Sequence, residues 1–309
     1  MKPVASVHRT WEPGRPVSLS VQLGPLRRGS GDPTWAWASD GAVWRTTLTP
    51  EGAGLERIAV NNSAGTVSCE AWGPGGKWLL ERLPDLFGAA DDASGFVPPV
   101  VLRDTYRRNS GWRVTKTRRV LEALVPAILE QKVTGKEAWL GWRRLVRSFG
   151  EPAPLVDGGP ENLFVMPSPD VWKSIPSWEW HRAGVDNKRS DAIVRVVSVA
   201  GRIEECAELS HAQADSRLRA ISGVGVWTAA ETAQRALGDP DAVSYGDYHL
   251  AGQVVLALTG QPDGTDVQMA ELLAPFAGNR YRVQRLVELS GVSQERHGPR
   301  RTVPDMRHI

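Results

Sequence analysis

The stretch ISGVGVWTAAETAQRALGDPDAVSYGDYHLAG, residues 221–252, decides the fold of this 309-residue chain. Ser210 is placed to cap a short helix, and the following SGVG at 222–225 cannot continue that helix. VWTAAETAQRALG then predicts a second helix that ends at Gly238. Two helices therefore meet across a tight glycine turn. The stretch closes with Asp247, which lies 22 residues beyond the last glycine of that turn.

The glycine turn offers a means of binding an anion without a charged side chain. Glycines let the backbone approach a ligand closely, and the first amides of the second helix point outward with the positive end of the helix dipole behind them. We expect four residues to contact phosphate through this turn: Gly223, Val224, Gly225 and Val226. For the turn taken alone, an ordinary connection between two helices is the alternative.

The chain divides near residue 100 into a β-rich part and a helical part. Short segments separated by turn residues predict an antiparallel sheet, and they are VSLSVQL (17–23), AVWRTTLT (42–49), LERIAV (55–60) and GTVSCEAW (65–72). Apolar residues recur at helical spacing in 76–89, 117–131, 135–150, 168–175, 187–203, 247–260 and 281–291. We predict an α+β fold with an antiparallel β-rich N-terminal domain over 1–100 and a predominantly α-helical, two-lobed unit over 101–309. The helical unit holds the hairpin at 210–238.

The composition excludes several classes of protein. A hydrophobic fraction of 41% and a charged fraction of 23% are ordinary for a globular chain. No apolar run approaches the roughly 20 residues of a membrane helix, and the first residues lack the apolar core of a signal peptide. We therefore expect a cytoplasmic, nucleoid-associated protein with no membrane partner. Cys69 and Cys206 are too few for a disulfide framework or an iron–sulfur cluster, and the 6 histidines show no metal-ligand spacing.

The net charge of +2 hides an uneven distribution of charge along the chain. Residues 31–100 carry 4 Lys/Arg against 9 Asp/Glu, whereas residues 101–149 carry 12 against 4 and the last 30 residues carry 7 against 3. This asymmetry is typical of a protein that presents one face to a polyanion. A solvated helix surface is the alternative. We predict a flexible basic tail over 294–309.

Two motifs resemble one known family. Val224, Gly225, Trp227, Thr228 and Ala229, followed by ALGDPDAVSYGDYHL, resemble the hairpin and the Gly/Pro-rich loop ending in aspartate of the helix–hairpin–helix (HhH-GPD) DNA glycosylases. LEALVPAILEQKVTGKEAW resembles the signature helix of the 3-methyladenine DNA glycosylase II branch. The resemblance covers roughly residues 75–290, and the β-rich start is similar to that branch's N-terminal sheet domain. It implies double-stranded DNA with a damaged base as the partner, and we expect a monomer.

The resemblance implies that Asp247 is the catalytic residue, and the chemistry supports this role. An enzyme that acts on a base inside a duplex must flip the nucleotide into a pocket. Positive charge builds on the sugar as the glycosidic bond breaks, so that a carboxylate beside the sugar stabilises the transition state and orients the attacking water. Because aspartate before YHLAGQVVLAL is also a good helix N-cap, capping is the alternative role of Asp247.

The residue types around the hairpin also bear on the reaction. Strand-cleaving relatives of the 8-oxoguanine branch carry a lysine nucleophile where this chain has Trp227, and the last lysine of the chain is Lys188. The sequence therefore predicts a monofunctional hydrolase. Glu231, one turn after Trp227, stands where relatives carry an aromatic pocket residue, and Lys132 stands where they carry the side chain that fills the gap left by the flipped base.

We predict the following site residues from the resemblance and from residue type. The base pocket comprises Trp227, Tyr248, Phe276, Tyr281 and Gln131. Aromatic faces stack on a flipped base and attract one that carries positive charge, as N-alkylated purines do. The backbone of the DNA is contacted by Arg118, Arg119, Lys132, Lys136, Lys188 and Arg189, besides the hairpin.

These features predict a monofunctional DNA glycosylase that excises alkylated purines of the 3-methyladenine and 7-methylguanine type. It needs no cofactor and no metal ligands, although hairpin carbonyls hold a monovalent cation in related structures. Three alternatives stay open: a glycosylase for deaminated or oxidised bases, an inactive protein that binds lesion-containing DNA, and a helical protein in which the hairpin only connects helices.

Overall fold

The N-terminal domain is built on an antiparallel sheet. The structure, a computed structural model, describes residues 6–293, and the tail predicted over 294–309 lies outside these residues. Five strands pair in the order β1-β5-β4-β3-β2. Their bounds are β1 Val7–Trp11, β2 Trp35–Trp37, β3 Val43–Thr49, β4 Gly52–Asn61 and β5 Thr66–Trp72. Two short strands, β6 Glu151–Pro152 and β7 Phe164–Val165, form a separate antiparallel pair.

One predicted strand is wrong. Residues 17–23, VSLSVQL, contain the helix α1 over Leu19–Leu23, because the hydroxyl of Ser18 accepts a hydrogen bond from Val21 N and caps the helix. A short 3-10 helix over Gly24–Leu26 continues from α1. The alternation of polar and apolar residues in so short a segment does not distinguish a strand from one turn of helix.

Helices make up most of the remaining structure, and each segment predicted to be helical contains one. The helices after α1 are α2 Gly76–Leu86, α3 Arg103–Arg108, α4 Val120–Leu129, α5 Gly135–Phe149, α6 Pro169–Ser174, α7 Ser177–Ala183, α8 Asn187–Ser198, α9 Ala200–Glu204, α10 His211–Arg219, α11 Val226–Thr232, α12 Leu250–Thr259, α13 Asp266–Leu273 and α14 Arg280–Ser290. The predicted α+β fold is confirmed.

Three of the hydrophobic cores define the architecture. The first lies between the sheet and α2, the second surrounds α4 and includes side chains from α5 to α11, and the third joins α12, α13 and α14. The chain leaves the sheet core at Phe87 and enters the third core at Phe96, near the boundary predicted at residue 100. The helical unit thus has two lobes with separate cores.

The helix α4 is the axis of the larger lobe. It is apolar on nearly every side and buried along its length, which places it at the centre of a core rather than on a surface. The helix ends at Glu130, and Lys132 then adopts a left-handed backbone conformation with φ 56°. A capping box between Thr134 and Glu137 starts α5 directly afterwards. The buried helix therefore delivers a short polar turn, residues 130–134, to the surface beside the hairpin.

The hairpin forms as its sequence predicts. Ser210 caps α10 through a capping box with Gln213. Gly223 has φ 98°, and a Cβ there would lie 2.7 Å from the Cβ of Ala192, so that both conformation and close packing require glycine. The helix α11 starts after Gly225, passes into a π-helical turn over Ala233–Leu237, and ends at Gly238 in the left-handed conformation.

Two further predictions concern membranes and cysteines. Among the helices of residues 6–293, none combines the length and the apolar character needed to cross a bilayer. Cys69 and Cys206 are both free and buried, and burial raises the pKa of each thiol. Their environment is that of packing residues, as predicted.

Candidate active site

Asp247 lies at the start of α12 with both carboxylate oxygens engaged. Its Oδ1 accepts hydrogen bonds from the backbone amides of His249 at 2.8 Å and Leu250 at 3.0 Å. Its Oδ2 accepts a hydrogen bond from the indole Nε1 of Trp227 at 3.2 Å. Asp247 and Trp227 are both half-buried, so the pair borders solvent. The aspartate thus caps the helix and also holds an oriented carboxylate beside an aromatic ring.

The loop that carries Asp247 is attached to α11 by a ladder of side-chain contacts, which comprises Trp227–Asp247, Glu231–Ser244 and Gln234–Ser244. Ser244 donates its hydroxyl hydrogen to Glu231 Oε1, and Gln234 Nε2 donates to Ser244 Oγ at 2.8 Å. Trp227 and Glu231 lie four residues apart and therefore share one helix face. The helix and the π-helical turn that follows it thus hold the loop at Ser244 and at Asp247, which fixes the position of the carboxylate.

The helix α14 holds the same loop from the opposite side. Asp241 receives hydrogen bonds from the backbone amide of Arg280 at 2.9 Å and from its guanidinium. Burial alone would raise the pKa of Asp241, but the hydrogen bonds from Arg280 outweigh this effect and keep the pKa below its usual value. Gln284 Oε1 also accepts from Ser244 N at 3.2 Å. The loop is therefore clamped between two helices that belong to different lobes.

Side chains from two neighbouring helices fix the hairpin. Gln131 Nε2, just after α4, donates to Gly223 O at 2.9 Å and to Thr228 Oγ1 at 2.8 Å. Arg195 Nη1, on α8, donates to Ser222 O at 2.5 Å. Gln131 was predicted as a base-pocket residue; in this structure its amide nitrogen is hydrogen-bonded to the hairpin, and its place in a base pocket stays a prediction. These contacts leave Gly223 and the start of α11 exposed to solvent.

Arg195 is a residue that the sequence interpretation missed. It is exposed and touches the hairpin directly. The signal available in the sequence was its place seven residues after Lys188, which puts both cations on one face of α8. Four of the exposed cations on α8 and on the turn and helix that follow α4 are Lys132, Lys136, Lys188 and Arg195.

Three of the basic residues predicted to contact DNA are used inside the protein, and the structure corrects these assignments. Arg189 is 5% exposed and donates to Asp186 and to the carbonyls of Leu129 and Gly184. The guanidinium of Arg118 pairs with Asp85 and Glu208, and that of Arg119 pairs with Glu204 at 3.2 Å and donates to Leu48 O. Carboxylates of the protein have taken up their charge: Asp186, near in sequence, for Arg189, and distant ones for Arg118 and Arg119.

The predicted pocket aromatics are not brought together. Tyr281 is 4% exposed and packs edge-on against Trp112, with ring centroids 6.0 Å apart, so it belongs to a core and not to an open pocket wall. Burial raises the pKa of Tyr281 above its usual value. Phe276 packs on the core of α12 to α14, and Tyr248 is 92% exposed. Within the described residues, Trp227 is the one of these aromatic residues whose side chain is hydrogen-bonded to Asp247.

The hairpin carbonyls bear on the predicted cation. The oxygens of Ser222 and Gly223 already accept hydrogen bonds from Arg195 and Gln131, and Ile221 O accepts from Val224 N at 2.9 Å. These three carbonyls are thus engaged by the protein, and a monovalent cation at the hairpin stays a prediction. Within residues 6–293, no group of three or more His, Cys, Asp or Glu side chains is arranged to hold a metal ion.

Comparison with known proteins gives relatives by sequence and by structure. No family model matches the chain. A curated relative from Mycobacterium tuberculosis, described as a probable bifunctional transcriptional activator/DNA repair enzyme AlkA, is 29% identical over 221 residues, which are 68% of this chain and 43% of the relative. The chain thus spans less than half the length of that relative.

Two solved structures show the fold. The 3-methyladenine DNA glycosylase from Archaeoglobus fulgidus superposes with a TM-score of 0.72 at 17% identity, covering 90% of this chain and 97% of that one. An 8-oxoguanine glycosylase/lyase from Clostridium acetobutylicum, in complex with double-stranded DNA, superposes with a TM-score of 0.68 at 10% identity, covering 94% and 98%. The resemblance predicted from the hairpin and the aspartate is confirmed, and the chain has the fold of the helix–hairpin–helix DNA glycosylases.

Proposed function

We propose that this protein is a monofunctional DNA glycosylase that hydrolyses the N-glycosidic bond of alkylated purines, of the 3-methyladenine and 7-methylguanine type, in duplex DNA. The observation that carries the proposal is the carboxylate of Asp247, held in one orientation beside the ring of Trp227 and next to an exposed glycine hairpin. The sequence relative described as a DNA repair enzyme AlkA supports this class of substrate.

The geometry suits hydrolysis by water. As the bond between C1′ and the base nitrogen breaks, the base leaves with the electron pair and the sugar becomes cationic. Asp247 stabilises this charge and then accepts a proton from the water that adds to C1′, which leaves an abasic site. The amides of His249 and Leu250 hold Oδ1, and Trp227 Nε1 holds Oδ2, so little reorganisation is needed as charge develops.

The residue at position 227 separates hydrolysis from strand cleavage. An indole cannot form a Schiff base with the sugar, and no lysine follows Lys188 in the chain. Lys132 lies directly after Gln131, which contacts the hairpin, and in this proposal Lys132 reaches a phosphate next to the gap left by the flipped base. N-alkylated purines are cationic and are good leaving groups, so the reaction proceeds without a dedicated general acid, and the face of Trp227 attracts such a base.

The duplex binds through its backbone in this proposal. The exposed hairpin residues offer amides at the positive end of α11, and the four exposed cations (Lys132, Lys136, Lys188 and Arg195) contact phosphates. Such contacts give affinity that depends on salt and not on sequence, which suits a search for rare lesions. The protein acts as a monomer and without a cofactor in this account.

A second candidate is a glycosylase for deaminated or oxidised bases. One observation favours it: α11 presents the carboxylate of Glu231, and not an apolar side chain, one turn beyond Trp227. A carboxylate at this position accepts hydrogen bonds from the edge of a base, which adds to the stacking of the base on Trp227.

The test is release of free base from duplex DNA treated with a methylating agent, with identification of the products by mass. We expect methylated purines to appear, abasic sites to form and the strand to stay uncut, with no covalent product after borohydride treatment. Release of deaminated or oxidised bases alone, from duplexes that contain them, would favour the second candidate. Binding without release of any base would contradict both and indicate a protein that only binds lesions.

A further inference from the structure

Glu231 is an acidic residue in an unexpected place. It lies on the face of α11 that also carries Trp227, and its contact with Ser244 runs beside the contact between Trp227 and Asp247. The next residue on this face, Arg235, forms an ion pair with Glu231 Oε2 at 2.7 Å. Along this face of the helix, the ring of Trp227 is thus followed by a negative and then a positive charge.

Protein partners do not occupy every hydrogen-bonding position of Glu231 and Arg235. A carboxylate offers about four acceptor positions, and the side chain of Glu231 uses two of them, for Ser244 and for Arg235. Arg235 Nε donates to Pro25 O at 3.0 Å and Nη1 donates to Glu231 O at 2.8 Å. The side chains of Arg235 and Glu231 remain 15% and 12% exposed, so each keeps an open edge.

The environment keeps Arg235 charged. Burial opposes its ionisation, but the carboxylates of Glu231 and Glu130 reverse this effect and place the pKa of Arg235 above its usual value. Its guanidinium therefore stays a donor, and Glu231 stays beside a fixed positive charge. This pair offers hydrogen-bond acceptors and donors side by side and in a fixed order. The two residues follow Trp227 by one to two turns along the helix.

We infer that Glu231 and Arg235 read the hydrogen-bonding edge of the flipped base and select purines with a guanine-type edge. The inference rests on the proposed function and specifies its substrate class. Guanine and its N7-alkylated form carry two adjacent donors, N1–H and N2–H, which match a carboxylate, next to the O6 acceptor, which matches a guanidinium. An adenine-type edge has one amino donor and one acceptor and fills fewer of these positions.

A purely structural role for Glu231 is the competing explanation, because its contact with Ser244 also holds the loop of Asp247. Two variants separate the roles. Glu231→Gln keeps an oxygen for Ser244 but replaces the second acceptor with an amide donor, which opposes the guanine donors and suits an adenine edge. Ser244→Ala removes the contact with the loop and leaves the carboxylate in place.

The experiment uses one methylated duplex preparation that contains both 7-methylguanine and 3-methyladenine, so that the two bases compete in one reaction. For Glu231→Gln we expect the ratio of 7-methylguanine to 3-methyladenine released to fall by about tenfold or more, as loss of a hydrogen bond to a charged group implies. For Ser244→Ala we expect both releases to fall by the same factor, with the ratio unchanged. Thermal melting of each variant shows that it is folded.

Three results would overturn the inference while the proposed function stands: an unchanged ratio in Glu231→Gln, an equal change of ratio in Ser244→Ala, or wild-type release of 3-methyladenine only. If wild type releases no base, the proposed function fails first. Should Glu231→Gln not fold, Glu231→Asp gives the same readout, since shortening the carboxylate is expected to lower the ratio and a structural role would lower both releases alike.

Discussion

Two regions of the molecule hold many basic residues and use them in opposite ways. The junction between the N-terminal domain and the helical unit contains Arg118 and Arg282, which are tied to Asp85 and Asp91 of the N-terminal part. The surface around the hairpin, formed by the hairpin, the turn 130–134, the start of α5 and α8, carries Lys132, Lys136, Lys188 and Arg195, which are exposed. The difference teaches that a run of positive charge in a sequence fixes neither stability nor binding. Whether a basic side chain stabilises the fold or stays available to a ligand depends on whether folding places a carboxylate beside it.

The largest expected effect lies in the junction. Arg282 is 1% exposed, pairs with the buried Asp91 and lies over the rings of Phe96 and Trp112. Arg282→Met leaves the carboxylate of Asp91 buried without its cation, so we expect the free energy of unfolding in urea to fall by about 3–5 kcal/mol. The additional change Asp91→Asn should restore much of this loss. A stable Arg282→Met protein would show that the junction does not depend on this pair.

The second prediction concerns the pH dependence of the junction. Glu122 borders a cavity of about 30 Å³ between the sheet and α4, and its Oε2 is buried with no partner in the described residues. Burial raises the pKa of Glu122 from 4.5 to about 7, although Arg45 and Arg119 oppose the shift. Because the folded-state pKa lies above the unfolded one, the stabilising contribution is complete below pH 4.5 and is lost as pH rises to about 7.

Glu122→Gln removes this dependence. We expect the difference in unfolding free energy between variant and wild type to grow, in favour of the variant, by about 3 kcal/mol between pH 5 and pH 8. Urea titrations at several pH values measure it, with Glu271→Gln, at an exposed side chain of α13, as the control. A difference that does not change with pH would mean that Glu122 is solvated.

The third prediction concerns the surface around the hairpin. Gln131→Ala removes the two hydrogen bonds to Gly223 O and Thr228 Oγ1. Their loss costs about 1–2 kcal/mol, and we expect the single-turnover rate of base release to fall by roughly tenfold as the hairpin loosens. Gln213→Ala, which breaks the capping box of α10, is the control that should change stability and not release. Equal effects of both variants would contradict the role of Gln131.

The smallest expected effect is on the salt dependence of DNA binding. Each phosphate contact contributes about −0.9 to the slope of log affinity against log salt concentration, so that Lys132→Ser with Lys188→Ser should reduce the slope by about 2. The paired lysines Lys77 and Lys173 provide the control, because they already face Glu81 and Asp170. If the first pair of substitutions leaves the slope unchanged, or if the second pair changes it equally, then Lys132 and Lys188 do not contact the phosphates of the duplex.

Local signals explain what the sequence predicts well. The cap at Ser210, the glycine turn and the stop at Gly238 each act within a few residues, and the structure has all three. The cap at Asp247 was predicted by the same kind of signal, an aspartate directly before an apolar helix, whereas its catalytic role was implied by the resemblance and stays a proposal. Long helices with strong periodicity, such as α5, were found for the same reason.

Contacts between distant residues explain the errors. Asp91 lies 191 residues from Arg282, and Leu48 O lies 71 residues from the guanidinium of Arg119 that donates to it. The hydrophobic periodicity of a sequence carries no information about contacts between residues that are so far apart in the chain. In the same way, Tyr281 and Trp227 are alike in type, but one packs on Trp112 and the other reaches Asp247. Tertiary packing, and not residue type, assigns an aromatic ring to a core or to a site.

The most direct test of the central claim is the single-turnover rate of base release from methylated duplex by wild type and Asp247→Asn. Asparagine retains one oxygen, which can cap α12, and places an amide donor opposite Trp227 Nε1, so the variant removes the charge and the bond from Trp227 and leaves the cap. We predict a loss of about a hundredfold or more in rate, with melting temperature and affinity for the duplex nearly unchanged. Equal rates would contradict the account and leave Asp247 as a helix cap.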